Sequence, residues 1–291
     1  MIRGWTWGQL ATAAGFGVGL AMILQMPAWV AGDALAYYRA DPNVVYAGLS
    51  GEGLNFLYSP VASQLIEPLR LLPFEAFAFV VRLAGVLSLV YVGRQLTLPL
   101  LLAIPVLVDN PIVMELWYGN INLLLAAVAV AGLRRPQLWA IPLLTKVTPG
   151  IGLLWFAVRR EWRKLGTAVA VTGLLVGISF VVAPRPWFDW IATLTAPHGV
   201  VPASTAWGLA PLPVRLAAAA ALVAWGAWRS KPWTIVVATW LSIPVLWPQT
   251  LAVLAPLPLF GLNALASRRG SRGSRRPVVA LAEAAGPAES S

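Results

Sequence analysis

Long runs of residues that are apolar on every helical face constrain this chain more than any other feature of its sequence. Residues 10–23 and 123–133 are two such runs. Transmembrane β-strands would instead alternate polar and apolar residues over about ten positions. In lipid, every backbone polar group must be paired internally, so helices are the alternative to closed barrels. The runs therefore predict helices within a membrane.

The composition is also wrong for a soluble domain. Hydrophobic residues make up 59% of the chain, charged residues make up 11%, and the mean hydropathy is +0.75. Soluble domains average about 45–50% apolar and about 25% charged residues. The absence of cysteine excludes disulfides and thiol nucleophiles, and a single histidine argues against a His-rich metal site. We predict neither a metal site nor a cofactor.

The apolar runs divide the chain into a series of membrane segments. Within the amphiphilic region 32–73, residues 57–72 are predicted to form a helix at the outer interface. Residues 136–158 have basic flanks at both ends, which favours a hairpin turning at 145–150, with a single span as the alternative. Other spans are predicted at residues 8–31, 74–92, 96–108, 111–133, 165–183 and 212–228, with two short spans in 232–266 broken near 247–249 and an outer loop at 184–211.

These segments predict an all-α, polytopic membrane protein. The bundle has about eight to ten transmembrane or re-entrant helices, with an interfacial helix in an outer loop. Residues 1–266 are predicted to form one domain, and 267–291 a disordered basic cytoplasmic tail. Placing both termini in the cytoplasm puts 15 of the 21 Lys and Arg residues inside, as in multi-pass proteins of the plasma (inner) membrane. The net charge of +10 is therefore a topology signal, and nucleic acid is not a predicted partner.

Four short motifs follow one another along the chain. They consist of an aspartate just beyond the first span, an aromatic element, an amide-rich element that opens an apolar helix, and a lysine element that leads into basic residues. The motifs are Asp33-x-x-x-Tyr37, Tyr58-x-Pro60, Gly119-x-x-Asn122 and Lys146-x-x-Pro149.

This ordered set resembles glycosyltransferase family 87 of the GT-C superfamily. The resemblance implies an integral-membrane enzyme, an inverting hexosyltransferase that takes a sugar, typically mannose, from a polyprenyl phosphate. The segment 242–248 is an imperfect match to the family's Ser-Pro-x-Ser-Trp region. The chain is shorter than expected for this family, and Asn120-Ile121 replaces a glutamine in the Gly-x-x-Asn element. Both departures bear on which donor or acceptor is used.

Two residues are predicted to carry the chemistry. Asp33, which matches the family's catalytic aspartate, is the candidate general base for an acceptor hydroxyl; the alternative is a solvated helix flank. Lys146 is the first candidate for binding the donor phosphate, because a cation there stabilises the leaving group and an unpaired lysine in a membrane is costly. Its alternative is an ammonium that snorkels from a helix end.

Further residues are predicted around them. His198, Arg70 and Arg215 are candidates for the donor phosphate, although a single loop histidine is more often incidental. Arg82 is a further cation, with pairing to Glu75 or Glu115 as its alternative. The candidates for the acceptor or sugar are Tyr37, Tyr58, Glu115, Trp117, Tyr118, Asn120 and Asn122. For these the alternatives are charge pairing, hydrogen bonds between helices and interfacial aromatic belts.

The leading functional hypothesis is transfer of a sugar, expected to be mannose, from polyprenyl phosphate to an envelope glycolipid or glycan outside the cytoplasm. A transporter or lipid flippase is the alternative, because transporters also use broken helices, but this chain has no internal repeat. A non-catalytic membrane scaffold is the third possibility. Asp33 is the discriminating residue, because unchanged sugar transfer by Asp33→Asn would contradict its catalytic role.

Overall fold

The computed structural model describes residues 7–41, 46, 56–93, 111–195, 210–257 and 260, and all regular structure in these residues is helical. The prediction of an all-α membrane protein is confirmed. The α-helices are α1 (Trp7–Gln25), α2 (Gly32–Tyr38), α3 (Pro60–Ile66), α4 (Phe74–Gly93), α5 (Pro111–Tyr118), α6 (Asn122–Ala131), α7 (Ala140–Thr145), α8 (Leu154–Val158), α9 (Trp162–Val182), α10 (Arg185–Thr195), α11 (Leu212–Trp228) and α12 (Trp233–Leu241). Short 3-10 helices lie at Ala28–Val30, Glu67–Leu71, Pro136–Trp139, Thr148–Leu153 and Pro248–Leu254.

Two described helices, α4 and α9, are each long and apolar enough to cross a membrane. Among the residues that the structure describes, few cover α9, and its apolar side chains Leu174, Ile178 and Val181 are exposed. A continuous apolar face of this size is not stable in water. We conclude that α9 faces lipid.

The region predicted as one span at 111–133 is instead two helices. Helices α5 and α6 meet at an angle of 114°, with the bend at Gly119–Ile121. Gly119 has a φ of +67°, a backbone conformation that glycine adopts without a Cβ penalty. The prediction of one span at these residues did not include the bend, because a run of apolar residues indicates burial and not direction.

Residues 136–158 form the predicted hairpin. A Cβ at Gly150 would lie 2.3 Å from Leu143, and one at Gly152 would lie 2.0 Å from Trp139. These pairs join the two arms in antiparallel order around a turn at Lys146 and Val147. Only glycine permits such close contact, so the sequence closes the hairpin with Gly150 and Gly152.

Two buried arginines, Arg82 and Arg215, stabilise helix ends, and Arg82 is described first. Arg82 of α4 donates to the carbonyls of Met26 and Pro27, after α1, and to those of Leu116 and Trp117, in the last turn of α5. The last carbonyls of a helix lack partners within the helix, so a guanidinium with several donors satisfies them well. Arg82 therefore fixes α5, just before the bend, against α1. The prediction that it pairs with Glu75 or Glu115 is not what the structure shows.

Other predictions have mixed outcomes. The outer loop predicted at 184–211 contains a helix, α10, whose Phe188 and Ile191 are exposed while Trp187 is buried. That pattern is typical of a helix lying in a membrane interface. Residues 57–72 are mostly helical, in two short pieces, and in the last segment the break falls after α12, at residues 242–247. The predicted span at 96–108 and the tail at 267–291 lie outside the described residues.

Candidate active site

Asp33 lies in the first turn of α2, which directly follows the first membrane segment. Ala31 and Ala34 on either side of it are fully buried against the rest of the bundle. These small residues let α2 pack closely, so the carboxylate of Asp33 is half-buried at the edge of the core.

The bend between α5 and α6 faces α2. A Cβ at Gly119 would lie 2.9 Å from the Cβ of Ala34, so the backbone of the bend passes directly over α2. This approach places Asn120 beside Asp33, and the Nδ2 of Asn120 donates to the Oδ2 of Asp33 at 2.8 Å. In the described part of the chain, no other hydrogen bond reaches this carboxylate, which leaves Oδ1 for a substrate.

Lys146 lies at the turn of the hairpin. The next residue, Val147, has a φ of 55° and a ψ of −64°, and the Thr148 N–H donates to the Lys146 carbonyl at 2.6 Å. This is a γ-turn of the rare, strained type with positive φ. A β-branched residue is unusual there. The chain therefore turns sharply next to Lys146, whose side chain enters the site.

The side chain of Lys146 joins the two asparagines of the bend. Its Nζ donates to the Oδ1 of Asn122 at 2.8 Å and to the Oδ1 of Asn120 at 3.3 Å. Asn122 in turn donates from Nδ2 to Glu115 at 2.8 Å. The result is a continuous polar network in the order Asp33, Asn120, Lys146, Asn122 and Glu115. We call it the Asp33–Glu115 network.

Burial and the neighbouring groups act in opposite directions on Asp33, which lies outside the membrane-spanning segments. Burial raises the pKa of the Asp33 carboxyl above its usual value, and this is the largest effect. The hydrogen bond from Asn120 and the positive charge of Lys146 lower the pKa and offset part of that rise. A carboxylate with a raised pKa is a stronger base than one in water, provided that it is ionised.

An aromatic group adjoins Asp33. Tyr37 follows it by one helical turn, and its hydroxyl lies 2.8 Å from that of Tyr58. Ser59 then docks this element onto the hairpin, because its N–H and Oγ both donate to the carbonyl of Leu144, two residues before Lys146. The predicted aromatic motif therefore connects α2, which carries Asp33, to the hairpin, which carries Lys146.

The structure places the other predicted residues as follows. Trp117 and Tyr118 are exposed next to the bend, where a sugar or lipid can contact them. Arg70 donates to the carbonyl of Tyr38 at 2.7 Å and pairs with Glu67, outside the Asp33–Glu115 network. Arg215 donates to the carbonyls of Ala210, Leu241, Ile243 and Pro244, so its guanidinium stabilises the end of α12. His198 lies outside the described residues.

Three residues that position the site were not among the predicted site residues, although Gly119 opens one of the four motifs. Gly119 allows the bend, Val147 forms the strained turn, and Ser59 docks the aromatic element onto the hairpin. Only Gly119 carried a signal in the sequence, as a glycine between an aromatic pair and two amides. The contacts of the other two depend on residues far away in the chain.

The sequence of the chain matches a known protein family. The model of glycosyltransferase family 87 matches residues 56–282, which is more than half of the chain. The chain belongs to glycosyltransferase family 87. It is therefore a membrane protein of a glycosyltransferase family, as predicted from the order of its motifs. The matched range includes four members of the network, and Asp33 precedes it.

A curated relative has a more specific name. It is the polyprenol-phosphate-mannose-dependent alpha-(1-2)-phosphatidylinositol pentamannoside mannosyltransferase of Mycolicibacterium smegmatis (strain ATCC 700084 / mc(2)155), which is 28% identical over 167 residues. The alignment covers 52% of this family 87 chain and 41% of the relative, so the chain spans about two fifths of the relative's length. No solved structure matches the chain.

Replacing Gly119 by alanine is expected to lower the transfer rate about 10²-fold, because a displacement of about 1 Å at a reacting group has that effect. The new Cβ would sit 2.9 Å from Ala34, and the φ of +67° disfavours any side chain. The bend must then move Asn120 away from Asp33. Initial rates measure the effect. The control is Gly177→Ala in α9, where a Cβ meets nothing within 4 Å; equal rates for the two variants would contradict the role of the bend.

Proposed function

We propose that this glycosyltransferase moves mannose from a polyprenyl-phosphate donor to an envelope glycolipid outside the cytoplasm, with inversion at the anomeric carbon and Asp33 as the general base. The observation that carries the proposal is the pairing of Asp33 with Lys146 through the single amide of Asn120. A base and a cation one side chain apart are what a displacement from a phosphate requires. The relative's name supports mannose and the polyprenyl donor.

The reaction is a single displacement. The acceptor hydroxyl oxygen bonds to the anomeric carbon while its proton passes to the free Oδ1 of Asp33. The bond from that carbon to the phosphate oxygen breaks, and its electron pair leaves with polyprenyl phosphate. Lys146 uses two of its three N–H donors on Asn120 and Asn122 among the described contacts, so the third is available for the phosphate.

The basic residues of the chain support an outward-facing site. Arg134 and Arg135 lie at the open end of the hairpin, and Arg159, at the same end, donates to Ser230 at 3.0 Å. Lys146 is at the opposite end, the turn. Because Lys and Arg concentrate on the cytoplasmic side, we infer that the end with Lys146 faces outward.

An apolar cleft of about 400 Å³ between α1 and α5 supports a lipid donor. Val18, Met22 and Val113 line it, and it ends at Trp117, two residues before the bend. The polyprenyl chain needs apolar surface up to the position of its phosphate. We assign this cleft to the chain of the donor, with the phosphate at Lys146.

The direct test uses the purified full chain in proteoliposomes. Polyprenyl phosphate carrying tritium-labelled mannose is supplied with phosphatidylinositol mannosides, the acceptor class in the relative's name. We expect a labelled glycolipid and one polyprenyl phosphate released per mannose transferred. Label that crosses the bilayer without a new glycosidic bond would instead favour the transporter alternative. The absence of both would favour the scaffold.

The pH dependence of the reaction follows from Asp33. A general base must be deprotonated, so kcat/KM rises with pH through the pKa of Asp33 in the free enzyme. Burial raises that pKa, so the rise is expected above the range of an ordinary carboxylate. Asn120→Leu removes a hydrogen bond that lowers the pKa, and the rise should move to higher pH still.

The control for the pH profile is Gln64→Leu, which removes an amide on α3 whose hydrogen bond goes to the carbonyl of Ser179, outside the Asp33–Glu115 network. Its profile should match that of the wild type. If Asn120→Leu leaves the rise of kcat/KM at the same pH, or moves it to lower pH, the protonation of Asp33 does not control that rise.

A further inference from the structure

Glu115 is, together with Asn122, the most deeply buried member of the Asp33–Glu115 network. Its side chain has 0% relative exposure, so no substrate reaches it, and this argues against the acceptor contact predicted from the sequence. Both carboxylate oxygens are used by one residue. Oε1 accepts from the backbone N–H of Asn122, and Oε2 accepts from the Asn122 Nδ2. Two donors on two oxygens match an ionised carboxylate, which accepts hydrogen bonds and donates none.

This arrangement determines which way the Asn122 amide points. An asparagine side chain can present either its oxygen or its NH2 group to a neighbour. Because Glu115 accepts only, the NH2 group must face it, and the Oδ1 must face Lys146, where it accepts from Nζ at 2.8 Å. Glu115 also supplies a negative charge two hydrogen bonds away from the ammonium.

We propose that Glu115 is a positioning residue that acts on Lys146 through Asn122, setting the place and charge of the ammonium that binds the donor phosphate. This inference rests on the proposed function of the site. It assigns Glu115 neither to the acceptor nor to the proton transfer. The competing explanation is that Glu115 only closes the bend, since its backbone carbonyl also accepts from the N–H groups of Gly119 and Asn120.

The first test is Glu115→Gln in the full chain, reconstituted in nanodiscs. Glutamine presents one acceptor and one NH2 group, so Asn122 turns its own oxygen toward it and its NH2 group toward Lys146. We expect the Kd for polyprenyl phosphate to rise about ten- to hundredfold, the range for loss of a hydrogen bond to a charged group. The KM for the acceptor should not change. The control is Glu75→Gln, the same change at an exposed position of α4.

A swap of the two functional groups gives the second test. In the double variant Glu115→Gln with Asn122→Asp, the amide donates to the new carboxylate, which in turn accepts from Lys146. Charge and hydrogen bonds are retained, so we expect binding within about threefold of the wild type. The single variant Asn122→Asp places two carboxylates in contact and should bind as poorly as Glu115→Gln.

The third test separates positioning from a structural role. If Glu115 acts through Lys146, Glu115→Gln causes no further loss of polyprenyl phosphate binding when Lys146 is already methionine. An equal loss in both backgrounds overturns the inference, as does wild-type binding by Glu115→Gln. Should Glu115→Gln fail to fold, the swap decides: a folded swap variant with a tenfold loss of binding overturns it.

The proposed function and this inference fail separately. Absence of mannose transfer by the wild type refutes the function. The Kd for polyprenyl phosphate measures the coupling of Glu115 to Lys146 whether or not mannose is the sugar.

Discussion

Replacing Asp33 by asparagine is expected to reduce kcat about 10²- to 10⁴-fold, the usual contribution of a positioned general base. The two side chains have the same shape, and the new amide oxygen can still accept from Asn120. The fold and the donor site should therefore persist, and only the proton acceptor is lost. Rates of mannose transfer and the Kd for polyprenyl phosphate, measured on the same preparation, distinguish the two effects.

The matched control for this variant is Asp189→Asn in α10. Asp189 lies 3.9 Å from Arg185 and is partly exposed, so its carboxylate is outside the Asp33–Glu115 network. This control should retain wild-type rates. If Asp33→Asn transfers mannose within tenfold of the wild-type rate, Asp33 is not the base.

Replacing Lys146 by methionine should reduce kcat/KM for the donor about 10²- to 10³-fold, as expected for loss of one group that stabilises developing charge. Methionine retains most of the length of the side chain and removes its charge. We expect binding of polyprenyl phosphate to weaken as well, because the phosphate is charged in both substrate and product. Transfer rates at varied donor concentration measure the effect.

Loss of the ammonium also leaves Asp33 and Glu115 without their cation, so stability must be measured beside activity. Lys164→Met, at a partly exposed pair with Glu161, is the control for loss of a lysine. Thermal unfolding should be nearly unchanged in that control. Lys146→Arg retains a charge, so its activity should be higher than that of Lys146→Met. Equal activities of the two variants would argue against a role for the charge.

The helical class could be predicted from the sequence because hydropathy and helical period are local properties. The prediction of the hairpin at 136–158 is confirmed for the same reason, since its basic flanks and central turn are all read from neighbouring residues. The bend between α5 and α6 could not be predicted in this way. Its angle of 114° depends on contacts of Gly119 with α2, far away in the chain.

In the candidate site, too, local features could be predicted and long-range contacts could not. Asp33, Asn120 and Lys146 were predicted from their chemistry together with the family resemblance of their motifs. The structure brings them together although 87 positions separate the first two. Arg70 and Arg215 were predicted by the same argument that a buried or misplaced cation is costly. Arg70 instead donates to the carbonyl of Tyr38 and Arg215 to that of Leu241, and a sequence contains no signal for such long-range partners. Arg70 also pairs with Glu67, three residues before it.

The γ-turn at Val147 has a consequence for how the enzyme tolerates heat. Residues in such sparsely populated conformations are unfavourable by about 1–3 kcal/mol and persist only while their surroundings fix them. Val147 itself is exposed, so few of its own contacts oppose local opening. The tip of the hairpin is therefore expected to open at a lower temperature than the helices packed around it. Mannose transfer should cease at temperatures where circular dichroism still reports intact helices. The stability of this one turn would then set the highest temperature at which transfer occurs.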